Sequence, residues 1–165
     1  LHVRSRRQRQ MCIRDSLKTL PVRFKQSVSN AERLVEFLSQ REEIAEVYYP
    51  GNNPIHLRQA STGGAVIGFR LKDESKAQAF VESLTLPLVS VSLGGVETIL
   101  SHPATMSHAA VPEAVRQERG ITFGLFRLSV GLEDPEEIIA DFNYALKEAF
   151  NESISETFTE QRFGS

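Results

Sequence analysis

The fold of this chain is decided by residues 89–132, which read VSVSLGGVETILSHPATMSHAAVPEAVRQERGITFGLFRLSVGL. An apolar alternation from Val89 to Leu93 opens this stretch and stops at two glycines, which predicts a strand that runs into a turn. Leu125 to Val130 has the pattern of a second strand and carries one cation, Arg127. Each interruption of an apolar pattern by polar or glycine residues indicates a place where a ligand could be held.

Residues outside this stretch have the spacing of helices and strands. From Leu17 onward, apolar residues recur every three or four positions, which predicts a helix with Pro21 in an early turn or at a break near its start. Asp134 and Pro135 mark the start of a final helix, as cap and first residue. The other predicted elements are a strand from Ile44 to Tyr49, a helical turn from His56 to Ala60, a strand from Ala65 to Leu71, a helix from Lys76 to Leu84 with Asp73 or Ser75 as cap, and a short helix from Pro112 to Arg119.

The order of the main elements is α-β-β-α-β-β-α, with the third strand after Pro87 and the fourth from Leu125 to Gly131. Several strands follow one another too closely for a helix to bridge each pair, so those pairs are expected to be antiparallel. The sequence therefore predicts an α+β fold with about four mostly antiparallel strands and helices on one face.

The chain divides into three parts by composition. Residues 1–16 carry five arginines with little apolar periodicity, and we interpret them as a non-native leader outside the fold; the alternative is a basic, flexible arm. Residues 17–150 contain the predicted elements and, with 41% hydrophobic residues in the whole chain, suffice for one domain with a core. Residues 151–165 are polar and unpatterned, and we expect a flexible tail.

Composition argues against several classes of protein. A formal net charge of −2 gives no basic excess, so we expect no nucleic-acid partner. The single cysteine, Cys12, fits a reducing cytoplasm better than a disulfide-stabilised secreted protein. No apolar run approaches the roughly twenty residues that cross a bilayer, and we expect no membrane partner. His102 and His108 lie six positions apart, without the i, i+4 spacing of two helical ligands, so we expect no metal.

Two features of residues 89–132 could bind an anion. On an extended strand, Arg127 points away from the aliphatic residues beside it, so its guanidinium can grip a carboxylate through two hydrogen bonds. Ser92, at the end of the preceding strand, is followed by glycines that leave backbone amides accessible. From pattern alone the alternatives are a surface arginine and a tight turn without a ligand.

The motifs SLGGVETILSHPATMSH and GLFRLSVGLED, taken together, closely resemble the C-terminal part of the Cys/Met-metabolism enzymes that use pyridoxal phosphate (PLP). That family includes cystathionine γ-synthase, cystathionine β-lyase, methionine γ-lyase and O-acetylhomoserine sulfhydrylase. The resemblance extends from about Leu17 to about Phe150. It implies the small C-terminal domain of the aspartate-aminotransferase-type fold, preceded by the family's linking helix.

The resemblance also implies roles for individual residues. Arg127 matches the family's arginine for the substrate α-carboxylate, and Ser92 matches the serine beside that carboxylate, with Leu93 next to it. The residues expected to shape the site are Gly94, Glu97, Thr98 and His102. No lysine of this chain has the family's Ser-x-Thr-Lys context for holding PLP, so we expect a truncated enzyme without catalytic residues of its own, inactive alone.

The function implied is the substrate-binding part of a transsulfuration enzyme, of the cystathionine β-lyase or γ-synthase type. Such an enzyme acts on sulfur amino acids or homoserine esters by elimination or replacement, and the complete protein would be a cytoplasmic homotetramer with a small amino-acid substrate. The alternative is a stand-alone α+β module that binds an amino acid without catalysis.

Overall fold

The computed structural model describes residues 6–151, with side chains described from residue 13 onward. Nine helices and strands are found in this part of the chain. They are α1 (Arg6–Ser39), β1 (Ile44–Tyr48), β2 (Val66–Leu71), α2 (Ala77–Ser83), β3 (Leu88–Val89), β4 (Ile99–Ser101), α3 (Glu113–Glu118), β5 (Leu125–Ser129) and α4 (Pro135–Phe150), with short 3₁₀ turns at Pro50–Asn52, His56–Arg58 and Glu74–Lys76.

The strands form one sheet in the order β1-β2-β5-β4-β3. The β1–β2, β2–β5 and β4–β5 pairs are antiparallel, and only β3–β4 is parallel. The predicted α+β class with a mostly antiparallel sheet is confirmed. The count of about four strands is corrected to five, because β4 has only three residues and is too short to show an alternating pattern.

The core lies between one face of the sheet and helices α1, α2 and α4. Four phenylalanine rings meet there, with centroids 5.4–6.2 Å apart. Offset and edge-to-face contacts at these separations add to the free energy gained from burying the rings. The rings belong to β2, α2, β5 and α4: Phe69, Phe80, Phe126 and Phe142.

Helix α1 differs from the prediction at its N-terminal end. It begins at Arg6, passes the expected boundary at residue 16 and continues through Pro21. The prediction of an early turn or a break at Pro21 is therefore wrong. The residues before it are largely good helix formers, and one proline removes a single backbone hydrogen bond while the flanking bonds remain. Residues 13–22 are exposed, and α1 enters the core only from Ser27 onward.

The third strand and the tail also differ from the prediction. The strand expected to alternate as far as Leu93 ends at Val89, and Val91 and Leu93 are 62% and 55% exposed on a loop. The predicted tail lies outside the described residues from position 152. None of the described helices is long and apolar enough to cross a membrane.

Candidate functional site

The sheet face opposite the helices carries a row of four residues. Tyr48, Gly68, Arg127 and Ser101 lie side by side on β1, β2, β5 and β4, in register. Side chains alternate along a strand, so this face is built from the residues between the buried ones. The Tyr48 ring lies beside the glycine, 3.4 Å from where a Cβ would be. The row therefore places the half-buried Arg127 side chain on the sheet face that no helix covers, which we call the open face.

Arg127 is held by the loop after β3 and by β4. Its Nη2 donates to the carbonyl oxygens of Val91 and Ser92, at 3.1 and 3.0 Å, and to the Ser101 hydroxyl at 2.9 Å. Its Nε is buried and has no hydrogen-bond partner among the described residues. A buried donor without a partner is costly, and among the described residues the guanidinium is held only through Nη2.

The Ser92 turn lies next to this guanidinium. Ser92 contacts Arg127 through its backbone carbonyl, while its side chain is exposed together with that of Leu93. Gly94 has a φ of 73°, which favours glycine, and its amide donates to the Ser129 hydroxyl at 2.8 Å. The structure thus brings together Arg127 and the turn that the sequence singled out.

Thr98 and Glu97 lie at the base of the loop. Glu97 is exposed, whereas Thr98 is completely buried. The Thr98 amide and hydroxyl donate to the two carboxylate oxygens of Glu133, at 2.5 and 2.8 Å, and its hydroxyl accepts from the Gly131 amide at 2.9 Å. These bonds attach the loop to the segment after β5. Thr98 therefore holds the loop in place rather than binding the guanidinium.

His102 is 6% exposed and lies flat on the Phe126 ring, with centroids 4.9 Å apart. Its Nε2 is 2.6 Å from the Phe123 carbonyl, which can only accept, so Nε2 carries the proton. Its Nδ1 then accepts from the Thr105 hydroxyl at 2.9 Å. Burial lowers the pKa of His102, and the Arg116 guanidinium lowers it further, against the opposing effect of the Phe123 carbonyl.

Two serines that form hydrogen bonds at the site, Ser129 and Ser101, were not predicted as site residues from the sequence. Ser129 lies two residues after Arg127, so strand alternation places both on one face and could have identified it. Ser101 could not have been found this way, because its position beside Arg127 follows from the pairing of β4 with β5. Sequence alone does not reveal that pairing when β4 itself escapes prediction.

The residues present fit the substrate side of a PLP site. The Arg127 guanidinium, held through Nη2 alone among the described residues, has further N–H groups that can donate to a carboxylate. Each lysine is exposed except for Lys76, which is half-buried, so this chain has no buried amine for holding the cofactor; they are Lys18, Lys25, Lys72, Lys76 and Lys147. Within residues 6–151, no group of three or more histidine, cysteine, aspartate or glutamate side chains is arranged to hold a metal ion.

Comparison with known proteins gives consistent matches. The family model described as Cys/Met metabolism PLP-dependent enzyme matches residues 6–147. A cystathionine β-lyase of Staphylococcus haemolyticus is 83% identical over 149 residues, which are 90% of this chain and 38% of that protein. A cystathionine β-lyase of Bacillus subtilis is 47% identical over 137 residues, 80% of this chain and 35% of that protein.

Solved structures agree with the sequence matches. Cystathionine γ-lyase from Lactobacillus plantarum, complexed with L-serine, superposes with a TM-score of 0.77 at 34% identity, over 82% of this chain and 37% of that one. The chain thus spans little more than a third of the length of these relatives. The family match covers nearly all described residues, and this chain belongs to the Cys/Met metabolism PLP-dependent enzyme family.

Proposed function

We propose that this chain forms the substrate-carboxylate-binding part of a cystathionine β-lyase. Residues 17–150 would then be the linking helix and small domain of a protein whose remaining part holds PLP. The 83% identity to a cystathionine β-lyase supports this choice over the γ-synthase and γ-lyase types, whose matches are 34–39% identical.

The observation that carries the proposal is the setting of Arg127. Its guanidinium is on the open face, is fixed by three acceptors on Nη2, and has a buried Nε without a partner among the described residues. A substrate carboxylate would accept from the part of the guanidinium that these three acceptors do not use. A charge-assisted hydrogen bond of this kind is roughly twice as strong as a neutral one.

Arg127 contributes orientation rather than proton transfer. When bound, PLP supplies an electron sink for the carbanion at the substrate Cα. By fixing the carboxylate, Arg127 restricts rotation of the substrate and decides which bond at Cα is presented to the cofactor, which lowers the entropic part of the barrier. The Ser92 turn, held by Gly94 and Ser129, forms the wall beside the carboxylate, with Leu93 at its tip.

The proposal extends to the complete protein. We infer a homotetramer in the cytoplasm that binds PLP and a small sulfur amino acid and has no nucleic-acid partner. The expectation of no nucleic-acid partner is supported by the net charge of this chain, −2, which gives no basic excess to attract phosphates.

The test uses the full-length gene product that contains this sequence, purified with PLP and supplied with cystathionine. With the uptake of one water molecule, β-elimination breaks the bond between sulfur and the three-carbon side and releases homocysteine, pyruvate and ammonia, whereas γ-elimination releases cysteine, 2-oxobutyrate and ammonia. We expect visible absorbance of bound PLP together with pyruvate. Release of 2-oxobutyrate instead would overturn the β-lyase assignment. Binding of amino acids without any turnover would favour the non-catalytic module.

A further inference from the structure

We propose that Ser101 is a positioning residue for Arg127, and that it sets the direction in which the guanidinium meets the substrate carboxylate. This inference rests on the proposed function. Ser101 is 5% exposed and is paired directly with Arg127 across β4 and β5. Its hydroxyl is therefore beside the guanidinium in the sheet itself.

The hydrogen bonds of Ser101 have only one consistent direction. Its Oγ is 2.5 Å from the Ser90 carbonyl oxygen, which can only accept, so the single hydroxyl proton is donated there. The lone pairs of Oγ are then left to accept from Arg127 Nη2 at 2.9 Å. A chain of two hydrogen bonds connects Ser90, Ser101 and Arg127, and each bond polarises the next.

Ser101 differs from the other two acceptors of Nη2 in rigidity. The carbonyls of Val91 and Ser92 belong to an exposed loop without regular structure, and the Val91 side chain is 62% exposed. Ser101 belongs to a strand with a paired neighbour on each side. The residue after the edge strand β3 adds a further hydrogen bond to β4, because the Ser90 amide donates to the Leu100 carbonyl at 3.0 Å. Of the three, Ser101 is the acceptor that the sheet fixes in place.

This arrangement explains why Nη2 points along the sheet while the rest of the guanidinium is left for the ligand. Nη2 carries two protons and has three acceptors, so its capacity is fully used within the protein. Without the Ser101 hydroxyl, the guanidinium would be held only by the two carbonyls of the exposed loop, and the carboxylate would be held in a less favourable direction. Ser101 would then act on the substrate only through Arg127.

The experiment is a double-mutant cycle in the full-length enzyme with cystathionine. For Ser101→Ala, kcat/KM is expected to fall about 5- to 20-fold, the range for losing one hydrogen bond to a charged group, and to fall mainly through a higher KM. In the Arg127→Ala background, Ser101→Ala is expected to add less than about 2-fold, since residues that act through one contact are not additive. Ser39→Ala is the control: it removes a hydroxyl that donates to the Val35 carbonyl in α1, away from the site.

A second pair of variants covers the case in which Ser101→Ala does not fold. Ser101→Thr and Ser101→Val have nearly the same shape and differ in one hydroxyl. The threonine variant is expected to have a KM at least about 5-fold lower than the valine variant, with equal melting temperatures.

These experiments distinguish a failure of the Ser101 inference from a failure of the lyase assignment. An effect of Ser101→Ala that is undiminished in the Arg127→Ala background, or equal KM values for the threonine and valine variants, would overturn the inference and leave the lyase assignment intact. A wild-type protein that binds PLP but does not turn over cystathionine would overturn both.

Discussion

The two faces of the sheet differ in what covers them. Beneath α1, α2 and α4, strand residues such as Phe69, Phe126 and Leu128 are completely buried. On the other face, Tyr48 is 42% exposed and Arg127 is half-buried beside a polar loop. The covered face supplies the apolar burial that stabilises the domain, and the open face presents the hydrogen-bonding groups.

Strand β5 serves both faces because its side chains alternate. Phe126 and Leu128 point into the core, so the backbone between them is fixed, and that backbone carries Arg127 on the opposite side. The binding residue is therefore held in place by apolar neighbours that lie on the other face of the sheet. Mutations on the two faces should therefore separate stability from substrate binding.

The largest effect is expected on the covered face, from Phe126→Ala. The ring is fully buried and stacks on Phe69 and His102, so its removal leaves a cavity that the sheet cannot close. The free energy of unfolding should fall by about 3 to 5 kcal/mol. Chemical denaturation monitored by circular dichroism measures this, with Phe24→Ala as the control. Phe24 is 49% exposed, and its removal should change stability by less than about 0.5 kcal/mol. Similar losses in both variants would contradict the claim that burial on the covered face stabilises the domain.

The second effect is expected on the open face, from Arg127→Ala in the full-length enzyme. Loss of the carboxylate contact should reduce transition-state binding by about 2 to 4 kcal/mol, seen in kcat/KM for cystathionine, with little change in stability. Arg127→Lys should also lose much of this binding, because an ammonium cannot reproduce the guanidinium fork.

The matched control for Arg127 is Arg70→Ala. Arg70 is also on the open face, on β2, but is paired with Glu46 at 2.8 Å on the surface. We expect less than about a 2-fold change in kcat/KM, since exposed ion pairs contribute little. Normal kcat/KM in the Arg127→Ala enzyme would contradict its proposed role.

Most of the covered face could be predicted from the sequence, and much of the open face could not. Periodicity identified β1, β2, β5 and the capped start of α4, because burial forces apolar residues into regular spacing. It missed β4, whose three residues are too few for a pattern. The site therefore lacked Ser101 in the sequence interpretation, although Arg127 and the Ser92 turn were both identified. Contacts made across strands depend on pairing, which no local pattern encodes.

A smaller effect is expected at the start of α4, which closes the covered face. The Asp134 carboxylate accepts from the Glu136 amide at 2.9 Å and so satisfies one of the free donors at the helix end. Asp134→Ala should lower the free energy of unfolding by about 1 kcal/mol, whereas Asp134→Asn keeps an accepting oxygen and should retain most of it. Equal losses in the two variants, measured by denaturation, would show that the cap is not the cause.

The smallest effect should be absent at neutral pH and appear on acidification, at His102, whose ring stacks on Phe126. Burial lowers the pKa of His102 in the folded state below its unfolded value of about 6.5. As the pH falls through that value, the unfolded chain takes up a proton before the folded one does, so stability declines until the lower folded pKa is passed. We expect the melting temperature to fall below about pH 6.5, and His102→Gln to remove part of this slope. In His108→Gln, which changes a half-buried histidine bonded to Ser107, the slope should remain. An unchanged slope in His102→Gln would show that protonation of this ring does not cause the loss of stability.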